Sequence, residues 1–112
     1  MDTEKKDIGT LIKENFRNIP NFPKEGVTFK DIAPLLSNPA IFRSITEAFA
    51  DAVKDLDYDK LVILESRGFI FGSALSMLTN KGLVLIRKKG KLPGKVEQFS
   101  FDLEYGKDVF EI

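Results

Sequence analysis

The feature that most limits the fold is the stretch from Lys60 to Asn80, KLVILESRGFIFGSALSMLTN. It opens on four apolar residues, Leu61 to Leu64. A short unbroken apolar run reads as a strand buried on both faces, the habit of parallel sheets. Glu65-Ser66-Arg67-Gly68 interrupts it, and a helical pattern follows, with Phe69, Gly72, Leu75 and Leu78 on one stripe. The order is strand, small polar turn, helix. Such a turn directs backbone N–H groups outward at a helix N-terminus, where the dipole also favours an anion. Arg67 adds a fixed charge in a fork that suits phosphate oxygens. The expectation is a turn that holds a phosphate-bearing ligand.

The second apolar run, Leu83 to Ile86, follows a helix stop at Asn80-Lys81-Gly82. Strand, helix, strand at this spacing is a βαβ unit of parallel strands. Their carboxyl ends then share one rim of the sheet, where ligands of open α/β sheets bind. Beyond the second strand comes Arg87-Lys88-Lys89-Gly90-Lys91-Leu92-Pro93-Gly94-Lys95, five basic residues with no acid among them. A charge run is most often a solvated loop. Two features favour a ligand instead: the run sits on the rim of Ser66 and Arg67, and its Gly and Pro content suits a lid over a polyanion.

Composition removes several chemistries. With no Cys and no His in 112 residues, there is no disulfide, no thiol nucleophile, no Ser-His pair and no usual metal ligand. Acid–base work must fall to Asp, Glu, Lys or Tyr. A net charge of zero gives no general attraction to nucleic acid or acidic membranes. The start, MDTEKKDIGT, lacks the apolar core of a signal peptide, and no run approaches transmembrane length, so a cytoplasmic location is expected. A hydrophobic share of 43% with ten Phe is enough for one α/β domain.

Upstream, a weak amphipathic helix is expected over Thr3 to Phe16, with Ile8, Leu11, Ile12 and Phe16 on one face. The Pro- and Gly-bearing run from Arg17 to Gly26 forbids a long regular element. Val27 to Ile32 reads as a short extended segment, and by pattern alone Phe29 is one more core Phe. Ala33 to Ser37 can hold one helical turn. Asn38-Pro39 opens a second helix, Asn as N-cap and Pro at the first position, with Phe42, Ile45, Phe49, Val53 and Leu56 on its apolar face. At the other end Gln98 to Tyr105 alternates as a half-buried strand, Gly106-Lys107 turns, and Asp108 to Ile112 returns to form a hairpin. Glu104 falls on its polar face beside the basic run, where pattern alone makes it an exposed strand carboxylate. The chain stops inside this last strand, which reads as a boundary set by truncation.

Five segments, in order and spacing, carry a resemblance: Ile19-Pro20-Asn21-Phe22-Pro23, Gly26 to Ile32, Glu65 to Gly72, Leu85 to Gly94, and Leu103-Glu104-Tyr105-Gly106-Lys107. Over roughly residues 11 to 112 the sequence resembles the N-terminal part of the type I phosphoribosyltransferase family, in its adenine branch. The resemblance implies an α/β fold, a parallel βαβ core with an N-terminal hood and a β-hairpin and lid, lacking the C-terminal part of the sheet. It implies a single, truncated domain: helix and base hood over 1–36, core helix and βαβ over 37–86, lid and hairpin over 87–112.

The resemblance also implies an activity. The family joins a nucleobase to the ribose of phosphoribosyl pyrophosphate with Mg²⁺ assistance; in the adenine branch the product is AMP, an act of purine salvage. By this resemblance Ser66 and Arg67 form the pyrophosphate turn, which in the family often carries a non-proline cis peptide, and Arg87, Lys88 and Lys91 reach the pyrophosphate from the lid. Arg67 would stabilise the departing charge. Phe29 would stack on adenine, the backbone of Thr28 and Lys30 would read its edge, and Glu104 would manage the purine proton. No residue of this chain is expected to hold the metal directly, and a homodimer is implied. One element is missing: nothing in these 112 residues matches the acidic pair and Thr-Gly-Gly-type loop that cradles the ribose 5-phosphate. The alternatives are a non-catalytic nucleotide- or pyrophosphate-binding module, or a fragment needing a second chain. A nucleic-acid-binding hairpin built on Arg87 to Lys95 is disfavoured by the lack of a second basic face.

Overall fold

A computed structural model describes residues 7–103 and 106–112. The chain divides into two compact units that meet between Ala52 and Val53.

In the first unit, helix α1 (Ile8–Asn15) starts on Asp7, whose side chain accepts from the Thr10 N–H. Ile8, Leu11, Ile12 and Phe16 are all partly buried, as the amphipathic pattern predicts. Strands β1 (Arg17–Ile19) and β2 (Phe29–Asp31) pair antiparallel, with Asn18 opposite Lys30. Between them Asn21 and Gly26 take positive φ, and the Gly26 N–H donates to Asn21 Oδ1 at 3.0 Å, closing the Pro-rich loop. One turn of helix, α2 (Ala33–Leu36), buries Leu35.

Helix α3 (Pro39–Val53) begins where the sequence places it, with Asn38 Oδ1 accepting from the N–H groups of Ala40 and Ile41 at 3.0 and 3.2 Å. Its buried line differs from the expected one. Ile41, Ile45 and Thr46 are buried, while Phe49 is 46% exposed and Leu56 lies beyond the helix end, 63% exposed. Thr46 can be buried because its hydroxyl donates to the Phe42 carbonyl at 2.9 Å. Phe49, Ala48 and Ile45 line an apolar groove with Ile8 and Ile12 of α1.

The second unit is a four-stranded sheet in the order β3-β4-β6-β5. Strands β3 (Lys60–Leu64) and β4 (Gly82–Lys88) are parallel and joined by α4 (Arg67–Thr79), the expected βαβ arrangement. Hairpin strands β5 (Gln98–Leu103) and β6 (Gly106–Glu111) are antiparallel, and β6 pairs with the end of β4, Arg87 opposite Glu111 and Lys88 opposite Phe110. Phe99 stacks on Phe110 across the hairpin, with centroids 6.0 Å apart.

Gly72 is the contact point of α4 on the sheet: a Cβ there would stand 2.2 Å from Ile63 Cγ2. Two expectations need correction here. Only one face of β3 is covered: Ile63 is 8% exposed, but Val62 and Leu64 are 57% and 48% exposed. Within this unit α4 lies on the Ile63 side and the opposite side has no second layer. Leu78 does not belong to the buried stripe and is 45% exposed. Each three-residue step falls about 60° short of a full turn, so a line drawn 69, 72, 75, 78 rotates off the core by its last member. The helix stops at Asn80, itself in the left-handed region at φ 60°, so Gly82 is free to start β4.

Candidate functional site

The parallel pair brings the ends of β3 and β4 to one rim, and the turn after β3 is fastened there. The Glu65 N–H donates to the Ile86 carbonyl at 3.0 Å. The Glu65–Ser66 peptide is cis, as the resemblance implies. Ser66 is the N-cap of α4, yet its hydroxyl makes no capping bond, and the first turn of the helix holds no acidic residue. Ser66 and Arg67 are both exposed. The first turn of the helix thus carries N–H donors and Arg67 but no acidic residue, an electrostatic setting for an anion.

The cations that face this turn are organised by Glu65. Its Oε1 accepts from Arg87 Nε at 3.1 Å and from the Lys88 N–H at 2.9 Å; its Oε2 pairs with Lys91 Nζ at 3.4 Å. The side chain keeps only 9% of its surface exposed, against 29% for Arg87 and 52% for Lys91. The Lys88 N–H bond, with help from Arg87 and Lys91, holds the Glu65 carboxyl down to about 2, outweighing the cost of desolvation. The Arg87 guanidinium also lies 5.6 Å from the centroid of the Phe69 ring in the first turn of α4. Of the residues expected at a pyrophosphate, Arg87 and Lys91 are therefore gathered by their side chains, and Lys88 by its backbone N–H, onto the carboxylate next to Ser66 and Arg67.

The basic run is not wholly a loop. Arg87 and Lys88 belong to β4, because β6 pairs with them. A second carboxylate anchors the segment beyond β4. Glu111, 4% exposed, accepts from the Gly90 N–H at 3.0 Å and from Gln98 Nε2 at 2.6 Å. Those two bonds, the Gly90 one first, pull its carboxyl below the ordinary range. Sequence reasoning missed both Glu65 and Glu111. Their signal was a charge balance: cations on a rim adjoined, among the described residues, by the acid just after β3 and by one facing Arg87 across the strand pair.

The residues expected at adenine lie in the first unit. Phe29, in β2, meets Phe22 edge to face, with centroids 5.2 Å apart and planes at 67°. Phe22 is 48% exposed. Lys30 Nζ bonds Asn18 Oδ1 at 2.9 Å and sits 5.0 Å from the Phe16 ring, so its side chain is engaged within the strand pair. Thr28 is exposed. The segment is pinned by Asp31, which accepts from the Ala33 N–H at 3.0 Å and pairs with Arg17. The Ala33 bond, then Arg17, lowers its carboxyl from the usual value. Glu104 lies outside the described residues. Among the described residues no three His, Cys, Asp or Glu gather as a metal site, and no helix is long and apolar enough to cross a membrane.

No family model matches the chain. Relatives do. The adenine phosphoribosyltransferase of Caldicellulosiruptor saccharolyticus is 50% identical over 101 residues, 90% of this chain and 58% of that protein. The fold agrees: the crystal structure of adenine phosphoribosyltransferase from Thermoanaerobacter pseudethanolicus matches at a TM-score of 0.87 and 40% identity, over 95% of this chain and 61% of that one. This chain is a homologue of the adenine phosphoribosyltransferases. The enzyme from Saccharomyces cerevisiae, solved with an imino-altritol bisphosphate and adenine, matches at 0.84 and 39% identity, over 94% of this chain and 62% of that one. The chain spans about 58% of the length of the curated relative from C. saccharolyticus.

Proposed function

We propose that this chain carries the base and pyrophosphate sides of an adenine phosphoribosyltransferase of purine salvage, which makes AMP and pyrophosphate from adenine and phosphoribosyl pyrophosphate. The observation that carries the reading is the rim of the second unit, where Ser66 and Arg67 stand at a helix N-terminus and Glu65 collects Arg87, Lys88 and Lys91 beside them. Cations and N–H groups placed at a leaving pyrophosphate stabilise the charge that develops as it departs. Arg67 is the residue we assign to that charge. Phe29 stacks on adenine, the backbone of Thr28 and Lys30 reads its edge, and Glu104 handles the purine proton. These roles rest on the homologues, and that of Arg67 also on the local geometry of the turn.

Mg²⁺ fits this arrangement as a companion of the ligand. Among the described residues Glu65 is already taken by three donors, so we assign the ion to the pyrophosphate rather than to a side chain of this rim. When bound, the ion would neutralise pyrophosphate oxygens. We propose further that the chain works as a homodimer with one domain per chain, with hood, core and lid at residues 1–36, 37–86 and 87–112.

One observation favours a second reading for the chain acting alone. No segment of the 112 residues matches the acidic pair and Thr-Gly-Gly-type loop that holds the ribose 5-phosphate in the family. On that reading the chain binds magnesium pyrophosphate without turnover. The two readings separate in one assay: adenine, phosphoribosyl pyrophosphate and Mg²⁺ are added to the purified chain and AMP is followed. AMP that disappears in Arg67→Ala supports the enzyme. Pyrophosphate binding without AMP supports the module. Wild-type turnover unchanged in Arg67→Ala would overturn the role of the turn.

A further inference from the structure

We propose that Glu65 is the positioning residue of the anion site, its two oxygens doing different work: Oε1 fixes Arg87 and the Lys88 N–H, and Oε2 stores Lys91 as a cation that an incoming pyrophosphate takes over. This rests on the pyrophosphate reading above and deepens it.

The asymmetry between the two oxygens is the basis. Oε1 receives two hydrogen bonds, at 3.1 and 2.9 Å, from groups in the regular part of β4. Arg87 is 29% exposed and held also by the Phe69 ring; the Lys88 N–H belongs to the backbone. The Lys88 N–H cannot move without breaking strand geometry, and the Arg87 side chain, held at two points, is restrained beside it, so this half is the fixed one. With Nε occupied, the guanidinium keeps its other N–H groups for a second partner. Oε2 receives only Lys91, at 3.4 Å, from a side chain 52% exposed and outside β4. A long, exposed, singly held ammonium is the part that can move. The pair is open to solvent on its lysine side and rests on one contact, so it is exchanged more readily than the two bonds on Oε1. Glu65 thereby resolves a conflict that every cationic site faces. Arg87 and Lys91 repel each other when no anion is present, and a carboxylate between them keeps both near the turn until a better anion arrives.

Substitution separates the two halves because glutamine keeps an oxygen acceptor while alanine does not. In Glu65→Gln the amide oxygen still serves Arg87 and Lys88, and the NH₂ group turned toward Lys91 releases it. Magnesium pyrophosphate should then bind about two- to fivefold more tightly, since that pair no longer competes. In Glu65→Ala both oxygens are lost, and affinity should fall about tenfold below wild type, the scale of a lost charge-assisted bond. Opposite signs for two substitutions that remove the same charge are the signature of positioning.

The experiment is calorimetric titration of magnesium pyrophosphate into the 112-residue chain at low ionic strength, for wild type, Glu65→Gln, Glu65→Ala and Glu65→Gln/Lys91→Met. Thermal unfolding of each variant confirms that it is folded at the titration temperature. We expect tighter, weaker and, for the double variant, binding no tighter than wild type, because the gain passes through Lys91. Equal shifts for Gln and Ala would mean that Glu65 acts only through its charge, and would overturn the proposal while leaving the pyrophosphate site intact. A gain that persists in the double variant would overturn the role of Lys91. No binding by the folded wild type would overturn the pyrophosphate reading itself, and this proposal with it.

Discussion

Replacing Gly72 by Ala tests whether the seat of α4 on β3 is as tight as it stands. An ideal Cβ at this position lies 2.2 Å from Ile63 Cγ2, 3.1 Å from its Cβ and 3.2 Å from its Cδ1. Carbon atoms pack at about 3.5–4.0 Å, so the nearest contact is short by more than about 1 Å. The obstacle cannot swing aside. Cγ2 is bonded directly to the Cβ of a β-branched residue that is 8% exposed, and its χ1 is restricted. The helix must therefore lift or Ile63 must leave its rotamer, an overpacking cost of about 1–3 kcal/mol. Removing a helical glycine returns up to about 1 kcal/mol. The net expectation is a loss of up to about 2 kcal/mol, which for a domain of this size lowers Tm by up to about 16 °C. Thermal unfolding followed by far-UV circular dichroism reads it. Ile63→Leu supplies the control: leucine is not branched at Cβ, so it removes the methyl in question while conserving volume. In that background Gly72→Ala should cost less by about 1 kcal/mol or more, a coupling typical of residues in contact. A Tm that rises in Gly72→Ala alone, or a cycle with no coupling, would refute the close approach. It would also unsettle the position of the turn, because the same contact sets where Ser66 and Arg67 stand.

Three further outcomes are expected. Asn38→Ala removes the acceptor for the Ala40 and Ile41 N–H groups and should cost about 1 kcal/mol, while Asn38→Asp retains most of the stability; chemical denaturation distinguishes them. The Glu65 carboxyl, held at about 2 against an ordinary 4.5, contributes stability that is fully present above the higher value and disappears as pH falls toward the lower. Denaturation midpoints should therefore drop on acidification between those limits, and in Glu65→Gln the decline should be shallower; identical pH slopes would count against the three-donor arrangement. Phe29→Ala should weaken adenine binding by about 1–3 kcal/mol, the worth of a base stacked on an aromatic ring, with magnesium pyrophosphate affinity unchanged in the same titrations.

The parts of the fold that were legible in the sequence are those fixed by neighbours along the chain. The start of α3 follows from Asn38-Pro39, the end of α4 from Asn80, and the parallel pair from two apolar runs separated by one helix. The errors came where a distant element decides. Phe49 and Leu56 continue the apolar spacing of α3, but the helix ends at Val53 and the buried line runs through Ile41, Ile45 and Thr46, one of them a hydroxyl satisfied by its own helix. Val62 and Leu64 look as buried as Ile63 in a string of letters, yet within their unit only the Ile63 side meets a helix.

The site divides along the same line. Its cations are conspicuous because five basic residues in nine positions stand out against any background, and Ser66-Arg67 is marked by the strand that ends before it. The carboxylates that organise them are inconspicuous. Glu65 is separated from its partners by 22 to 26 residues, and Glu111 from Gly90 by 21, so no local pattern joins them. Their geometry nonetheless yields a rule. Several cations held on one rim need a counter-charge while no ligand is bound, and it must lie where a side chain of the turn can reach the end of the neighbouring strand. In a parallel βαβ unit that position is the residue just after the first strand. Glu65 occupies it, and an acidic residue there, followed by a small polar turn and a basic run after the next strand, is the arrangement to look for when such a rim is read from sequence.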